Sequence, residues 1–182
     1  TFLKLLYGEE FALKGSVEVM GQDLMRADAV KLQALRRRMG IIFQDLRLIE
    51  DLSVYDNIAL AIETARVEMK GVKGAIDDAL ALVGVGRLAR HSVRSLSGGE
   101  KARVAAARAI VRKPEILIAD EPTGNLDREQ TWTFVDLLQK MHMRGTTVIM
   151  ATHDRDIVRR VRKRSLILKG GKASLEEGLS LF

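Results

Sequence analysis

The sequence predicts an α/β fold with a mostly parallel sheet. Its central strands show as short, continuous apolar runs, and longer segments with helical patterns separate them along the chain. Strands buried on both faces have this continuous pattern, because helices cover both sides of a parallel sheet. The runs that predict the central strands are Met39–Phe43, Ile116–Ala119 and Thr146–Ala151.

The composition is that of a folded globular protein. The chain has 182 residues, of which 47% are hydrophobic and 30% charged, with a formal net charge of +6. A disordered chain has a lower apolar content. The absence of Cys excludes disulfide frameworks, thiol catalysis and Cys-based zinc sites. No apolar run reaches the roughly 18–20 residues of a membrane span, and the modest charge points only weakly to nucleic acid or anionic lipid.

The elements before the first central strand are short. Residues 1–7 predict a helix that ends near Gly8, and residues 15–20 alternate polar and apolar side chains as a strand does. Residues 28–38 predict a helix whose last three residues are arginines, where cations interact favourably with the helix dipole.

Residues 49–92 differ from their surroundings, since they hold helical patterns and no strand pattern. Helices are predicted at Val54–Met69 and Val72–Val83, followed by a shorter helical piece. We therefore expect a helical subdomain inserted into an α/β core whose two parts are residues 1–48 and 93–182.

The α/β pattern returns after this insert. Three helices alternate with the central strands and one further strand comes after them: the helices are Ser97–Val111, Arg128–Met143 and Ile157–Arg162, and the strand is Leu166–Leu168.

Two carboxylates, Asp120 and Glu121, directly follow the second central strand. Ligands of parallel α/β sheets bind beyond the carboxyl ends of the strands. Carboxylate oxygen suits a hard cation such as Mg²⁺, and a second carboxylate can orient or deprotonate a water molecule. The alternative is that the acids only mark the point where a strand meets solvent.

The segment Leu96-Ser97-Gly98-Gly99-Glu100 predicts the start of a helix. Ser97 and Glu100 have the spacing of a capping box. The two glycines leave backbone N–H groups accessible at a helix N-terminus, where phosphate binds well. A structural cap and a phosphate site are compatible here.

Polar residues also follow the other two central strands. His153 lies just after the third strand and Gln44 just after the first, so both are predicted at the same sheet edge as Asp120. A lone His is more often structural than catalytic, but this position favours a functional role. His91 and His142 have no such position and are assigned structural roles.

Together, these motifs and their order resemble the ATP-binding cassette (ABC) ATPases. Gln44 resembles the Q-loop glutamine, Leu96–Glu100 the family signature, and Ile116–Asp120 the Walker B strand. Glu121 then resembles the catalytic carboxylate and His153 the switch histidine, and Asp127, in Gly-Asn-Leu-Asp, resembles the D-loop aspartate.

The resemblance implies a P-loop NTPase core with a helical subdomain, binding ATP and Mg²⁺. It implies a homodimer that closes over two ATP molecules, with Glu121 and His153 as catalytic residues and Asp120 and Gln44 as magnesium ligands, directly or through water. The implied ATP-binding residues are Thr1, Gln44, Ser97, Gly98, Gly99, Glu100 and Asp127.

Within this family the strings Ile-Phe-Gln-Asp, Val-Tyr-Asp-Asn and Ala-Thr-His-Asp resemble the FtsE branch of cell-division ATPases. That branch implies an FtsX-like transmembrane partner and a peripheral position on the cytoplasmic face of the bacterial inner membrane, with no nucleic-acid partner. Lipoprotein-release and MacB-type exporters share Glu-Pro-Thr-Gly-Asn-Leu-Asp and are the alternative. A nucleic-acid-acting ABC protein and an inert fragment are further alternatives. The bases within residues 155–164 predict an exposed helix face, either solvated or contacting anionic lipid.

The phosphate-binding P-loop, Gly-x-x-x-x-Gly-Lys-[Ser/Thr], does not occur within residues 1–182. Thr1-Phe2-Leu3-Lys4 resembles the segment directly after that motif in the family, with Thr1 next to the hydroxyl that binds magnesium. We therefore expect a sequence that is incomplete at its N-terminus, lacking the first strands and the P-loop, and inactive as given. A natural protein without a P-loop is the alternative.

Overall fold

The computed structural model describes residues 2–64 and 71–176. The chain divides into two compact units, Thr1–Ala151 and Thr152–Phe182.

The first unit begins with short elements that precede the central sheet. They are α1 (Phe2–Leu6), β1 (Glu18–Val19), β2 (Gln22–Asp23) and α2 (Ala29–Arg37). Arg36 holds the end of α1, since its Nε and Nη2 donate to the carbonyls of Tyr7 and Gly8, both at 2.8 Å. Asp28 caps α2, because its carboxylate accepts the Lys31 N–H. The strand predicted at 15–20 is shorter than expected because it forms only a two-residue hairpin pairing with β2.

The middle of the chain is helical, as expected. Its elements are α3 (Val54–Glu63), α4 (Val72–Leu82) and two 3₁₀ turns, Gly86–Leu88 and Val93–Ser95. Ser53 caps α3 by accepting the Asp56 N–H at 3.1 Å. Buried Asn57 fixes the preceding loop: its Oδ1 accepts from Ile49 N, and its Nδ2 donates to two carbonyls. The end of the helix predicted at 54–69 falls partly outside the described residues.

The central sheet is parallel, as the apolar runs predict. Its strands are β3 (Met39–Ile42), β4 (Ile116–Asp120) and β5 (Thr147–Ala151). Helix α5 (Gly98–Ile110) precedes β4 in the chain, and helix α6 (Arg128–Met143) connects β4 to β5. Within the described residues the strand order is β3–β4–β5, with β4 in the middle. Ile42 pairs with Ala119, and Asp120 pairs with Ala151.

Both faces of β4 are buried. Leu117 and Ala119 pack into one apolar cluster with helices α3 to α6, whereas Ile118 packs into a second cluster with Leu3, Leu35 and other residues of α1 and α2. Because side chains alternate along a strand, burial on both faces requires an unbroken apolar run. This is the physical reason for the sequence pattern.

The second unit contains a helix and a hairpin: α7 (Arg155–Val161), β6 (Ser165–Lys169) and β7 (Lys172–Glu176). Strand β7, which the sequence analysis missed, pairs antiparallel with β6. The connecting glycines, Gly170 and Gly171, both have positive φ, as a two-residue hairpin turn requires. Helix α7 ends at Val161 because Arg162 is left-handed, with φ 51°.

Candidate functional site

The carboxyl ends of the parallel strands bring three of the expected site residues to one edge of the first unit. Asp120 is the last residue of β4, Glu121 follows it, and Gln44 lies two residues beyond the end of β3. The register sets Ile42 beside Ala119, so Gln44 leaves the sheet at the level of the two acids. Gln44 is exposed, and both carboxylates are half-buried.

Glu121 has an unusual backbone. Its φ is 44°, in the left-handed region that costs a residue with a side chain roughly 1–2 kcal/mol. Two main-chain hydrogen bonds hold it there: its N–H donates to the Ala151 carbonyl at 3.1 Å, and its carbonyl accepts from Gly124 N at 3.2 Å. Backbone strain of this kind concentrates at functional sites, so the geometry favours a chemical role for this carboxylate.

The capping box expected at the start of α5 is present. Glu100 N donates to Ser97 Oγ at 3.3 Å, and Ser97 N donates to Glu100 Oε2 at 2.9 Å. The main-chain hydrogen bond from Ser97 is the largest cause that lowers the pKa of Glu100. Ser97 and Gly98 are exposed at this helix N-terminus, where the helix dipole and free N–H groups suit an anion.

Gly99 connects the signature segment to Asp127. A side chain at position 99 would overlap the Gln130 amide. Gln130 is itself held by Asp127, whose Oδ2 accepts from Gln130 Nε2 at 2.6 Å and whose Oδ1 accepts from Gln130 N at 2.8 Å. Sequence reasoning missed Gln130, although Asp-x-x-Gln has capping-box spacing. Asp127 therefore caps α6, and the Gln130 side chain that it holds packs against Gly99 of the signature.

His153 belongs to the second unit, two residues after the end of β5, and its side chain is exposed. The next residue, Asp154, is the N-cap of α7, since its Oδ1 accepts the Asp156 N–H at 2.8 Å. Thr152 Oγ1 accepts the Asp154 N–H at 3.0 Å and fixes the turn around the histidine. Thr1, the remaining expected site residue, lies outside the described residues.

A cluster of Tyr7, Phe43 and Glu9, which sequence reasoning missed, lies close enough to Asp120 for its charge to act on Tyr7. The Tyr7 hydroxyl donates to Glu9 Oε2 at 2.7 Å, and its ring meets Phe43 edge to face, with centroids 6.4 Å apart. Burial, the Glu9 hydrogen bond and the Glu9 charge raise the pKa of Tyr7 to about 12, and Asp120 contributes to the rise. Tyr7 is therefore neutral at ordinary pH. No local motif joins these residues, so only the fold reveals the group.

Arg108 holds the loop that follows Gln44. From α5, its two terminal nitrogens donate to the carbonyls of Leu46 and Arg47. Both residues are left-handed, with φ 56° and 45°. Burial is the largest cause that lowers the pKa of Arg108, and a guanidinium stays charged despite such a shift. The arginine thus ties a strained loop at the site to the helix that begins with the signature.

Arg108→Ala is expected to lower the free energy of unfolding by roughly 2 kcal/mol, since hydrogen bonds to a charged group contribute about 1.5–3 kcal/mol. The Leu46 amide, which donates to the Phe43 carbonyl at 3.0 Å, should exchange its hydrogen faster. Urea unfolding and amide exchange measure the two effects. Arg90→Ala, at an exposed position, is the control, and equal behaviour of the two variants would contradict the role of Arg108.

The carboxyl-edge residues can hold a magnesium ion. Among the described residues no group of three or more His, Cys, Asp or Glu side chains is close enough to form a metal site without another ligand. Magnesium usually takes one or two carboxylates together with waters and substrate phosphates. The Asp120 carboxylate and the Gln44 amide fit that pattern.

The model of the ABC transporter family matches residues 1–124. The chain belongs to the ABC transporter family. The prediction from the motifs is thereby confirmed, and family membership implies nucleotide binding. In the part of the chain that the structure describes, no helix is long and apolar enough to cross a membrane.

Curated relatives of this ABC chain include FtsE proteins. It is 41% identical over 177 residues to the cell division ATP-binding protein FtsE of Streptococcus pneumoniae, covering 97% of this chain and 77% of that one. It is 39% identical over 171 residues to FtsE of Bacillus subtilis, covering 94% and 75%.

Solved ABC cassettes share the fold. The dimeric bacterial ABC transporter cassette MJ0796 matches with a TM-score of 0.86 and 30% identity, over 99% of this chain and 80% of that one. A post-hydrolysis structure of the same cassette holds ADP and Pi. The cbiO1 protein of Clostridium perfringens matches with a TM-score of 0.87 and 28% identity, over 97% and 71%.

Proposed function

We propose that this chain is the ATP-hydrolysing subunit of an FtsE-like membrane complex that acts in cell division. The observation that carries the proposal is the Asp120–Glu121 pair at the carboxyl end of β4, level with Gln44, in an ABC chain. The FtsE relatives, at about 40% identity over nearly the whole chain, support the cell-division role over an exporter role.

Magnesium and nucleotide would bind at the carboxyl edge of the sheet. Asp120 and Gln44 would hold Mg²⁺, directly or through water. The ion, when bound, neutralises phosphate charge. Thr1 is also proposed as an ATP-binding residue, as the family resemblance implies.

Two residues of the chain would have separate roles in ATP hydrolysis. Glu121 would orient and polarise the attacking water, since a carboxylate is a hydrogen-bond acceptor and a base. His153 would stabilise the charge that develops on the γ-phosphate. The left-handed backbone of Glu121, which two main-chain hydrogen bonds hold, supports its role, because backbone strain of this kind concentrates at functional sites.

The signature would bind the nucleotide of a second copy of the chain. The exposed start of α5, with Ser97, Gly98 and Gly99, presents N–H groups suited to a phosphate, and Glu100 fixes that cap. Asp127, which lies next to the signature through Gln130, would connect the two sites across the dimer. The dimeric cassettes of the same fold support this assembly.

The partner would be an FtsX-like transmembrane protein, which places the chain on the cytoplasmic face of the bacterial inner membrane. Co-purification tests this proposal. The chain should be captured by an FtsX-like protein of the same organism and not by the permease of a lipoprotein exporter. Capture by the exporter permease alone would assign the chain to the alternative.

Residues 1–182 alone are expected to hydrolyse ATP at a negligible rate, because they contain no P-loop lysine to hold the phosphates. The comparison is the extended chain, defined as residues 1–182 joined at Thr1 to the P-loop segment of Bacillus subtilis FtsE. Phosphate release under identical conditions measures both. Turnover by residues 1–182 equal to that of the extended chain would show that hydrolysis does not need the motif.

A further inference from the structure

Gln44, one of the two residues proposed to hold magnesium, is not fixed by contacts of its own side chain. That side chain is exposed, and among the residues that the structure describes its amide has no hydrogen-bond partner. The position of the amide therefore depends on the residues that flank Gln44 in the chain.

Phe43, directly before Gln44, is fixed by two contacts of its ring. The Tyr7 ring meets it edge to face, with an angle of 87° between the ring planes and 6.4 Å between the centroids. The Arg47 guanidinium carbon lies 3.9 Å from the centre of the Phe43 ring, as in a cation–π interaction. The Phe43 carbonyl also accepts the Leu46 N–H at 3.0 Å. The main chain before and after Gln44 is thus tied to Phe43.

Tyr7 is a firm support for this ring. Its side chain is 7% exposed and belongs to the same apolar cluster as Ile118 of β4. Its hydroxyl donates to Glu9 Oε2 at 2.7 Å, and its main-chain carbonyl accepts from Arg36 Nε at 2.8 Å. Both the ring and the backbone of Tyr7 are therefore held.

Tyr7 also lies near the other proposed magnesium-binding residue. Burial is the largest cause that raises the pKa of Tyr7 to about 12, and the Asp120 charge adds to the rise. Asp120 follows Ile118 by two residues on β4. The two rings therefore connect the carboxyl end of β4 to the residue before Gln44. Such support matters because outer-shell groups orient the ligands of a metal ion.

We propose that Tyr7 is a positioning residue for ATP hydrolysis: through the Phe43 ring it keeps Gln44 level with Asp120, so that the amide and the carboxylate reach the same magnesium ion. The inference rests on the proposed function, in which these two residues hold the ion. Tyr7 acts on the ion only through Phe43 and Gln44, and its hydroxyl serves to fix the ring through Glu9.

Metal affinity tests the proposal. In the extended chain, Tyr7→Leu replaces the ring with a smaller apolar side chain, and Tyr7→Phe keeps the ring. Mn²⁺, which favours the same oxygen ligands as Mg²⁺, is detected by electron paramagnetic resonance in the presence of a non-hydrolysable ATP analogue. Tyr7→Leu should bind Mn²⁺ at least about tenfold more weakly, since loss of an outer-shell contact lowers metal affinity about 10–100-fold. Tyr7→Phe should retain most of the affinity.

The rate of ATP hydrolysis separates positioning from damage to the fold. Phosphate release by Tyr7→Leu should be slow at limiting Mg²⁺ and should recover at saturating Mg²⁺, whereas a misfolded site stays slow at every concentration. Phe134→Leu is the matched control, because it removes a ring buried in the other apolar cluster, on α6. Both variants should unfold at lower temperature, but only Tyr7→Leu should lose Mn²⁺ affinity.

Two further measurements test the path through Phe43. The double variant Tyr7→Leu/Phe43→Leu should bind Mn²⁺ no more weakly than the weaker single variant, since both changes interrupt one path. In residues 1–182 without nucleotide, the Leu46 amide should exchange its hydrogen faster in Tyr7→Leu than in Phe134→Leu.

The outcomes distinguish the inference from the proposed function. Equal Mn²⁺ affinity of Tyr7→Leu and the unaltered extended chain, or an equal loss in Phe134→Leu, overturns the inference. Fully additive losses in the double variant, or unchanged exchange at Leu46, would show that Tyr7 does not act through Phe43 and would overturn it too. If the unaltered extended chain binds no Mn²⁺ with the ATP analogue, the proposed function is wrong, and the inference is rejected with it.

Discussion

Glu121→Gln in the extended chain is expected to reduce ATP hydrolysis by at least about 100-fold while ATP still binds. A general base contributes roughly 10²–10⁴-fold to rate, and an amide cannot replace the carboxylate in polarising water. Gln has nearly the same shape, and the two main-chain hydrogen bonds of residue 121, to Ala151 and Gly124, do not involve its side chain. The local fold should therefore persist, and the variant should accumulate as an ATP-bound dimer.

Three measurements separate this outcome from a structural defect. Phosphate release gives the rate, a fluorescent ATP analogue gives the affinity, and size-exclusion chromatography with ATP gives the dimer. Glu18→Gln, at an exposed position on β1, makes the same chemical change away from the site and should leave the rate unchanged. Hydrolysis by Glu121→Gln at the parental rate would remove Glu121 from its proposed role.

Local patterns predict the central sheet well because the physics that forms it is local. An unbroken run such as Ile116–Ala119 is needed wherever both faces of a strand are buried, and the two apolar clusters around β4 show that both are. Since parallel strands end at one edge, the polar residues after β3 and β4 could be placed together before any contact was known. The capping box of α5 was likewise predictable from its spacing.

The contacts that hold the site loops were not predictable in this way. Arg108 reaches carbonyls that lie 61 and 62 residues earlier in the chain, and Arg36 reaches Tyr7 across 29 residues. A helical period shows which residues face the core but not which arginine folds back onto a distant main-chain carbonyl. The strand β7 was missed for a different reason: its residues are exposed throughout, so no buried face produced an apolar pattern.

Gly40→Ala is expected to destabilise the fold by roughly 3 kcal/mol, at the upper end of the usual range for an overpacked core. Gly40 is buried in β3, and a Cβ there would overlap the Ala109 carbonyl of α5 and lie 3.1 Å from Leu117 Cδ1. The obstacle is the main chain of a helix packed against the strand, so a change of rotamer cannot relieve it. Helix and strand must separate, although Arg108, next to Ala109, also ties α5 to the loop after Gln44.

The same substitution at Gly74 makes a matched control, because Gly74 lies inside α4 with nothing within 4 Å of an added Cβ. There Ala should raise the free energy of unfolding by about 0.5–1 kcal/mol, since Gly loses more backbone entropy in a helix. Urea unfolding of the two variants should therefore shift the midpoint in opposite directions. Shifts of equal sign and size would mean that the α5 carbonyl yields easily to a methyl group and that the close approach of α5 to β3 is not a constraint on position 40.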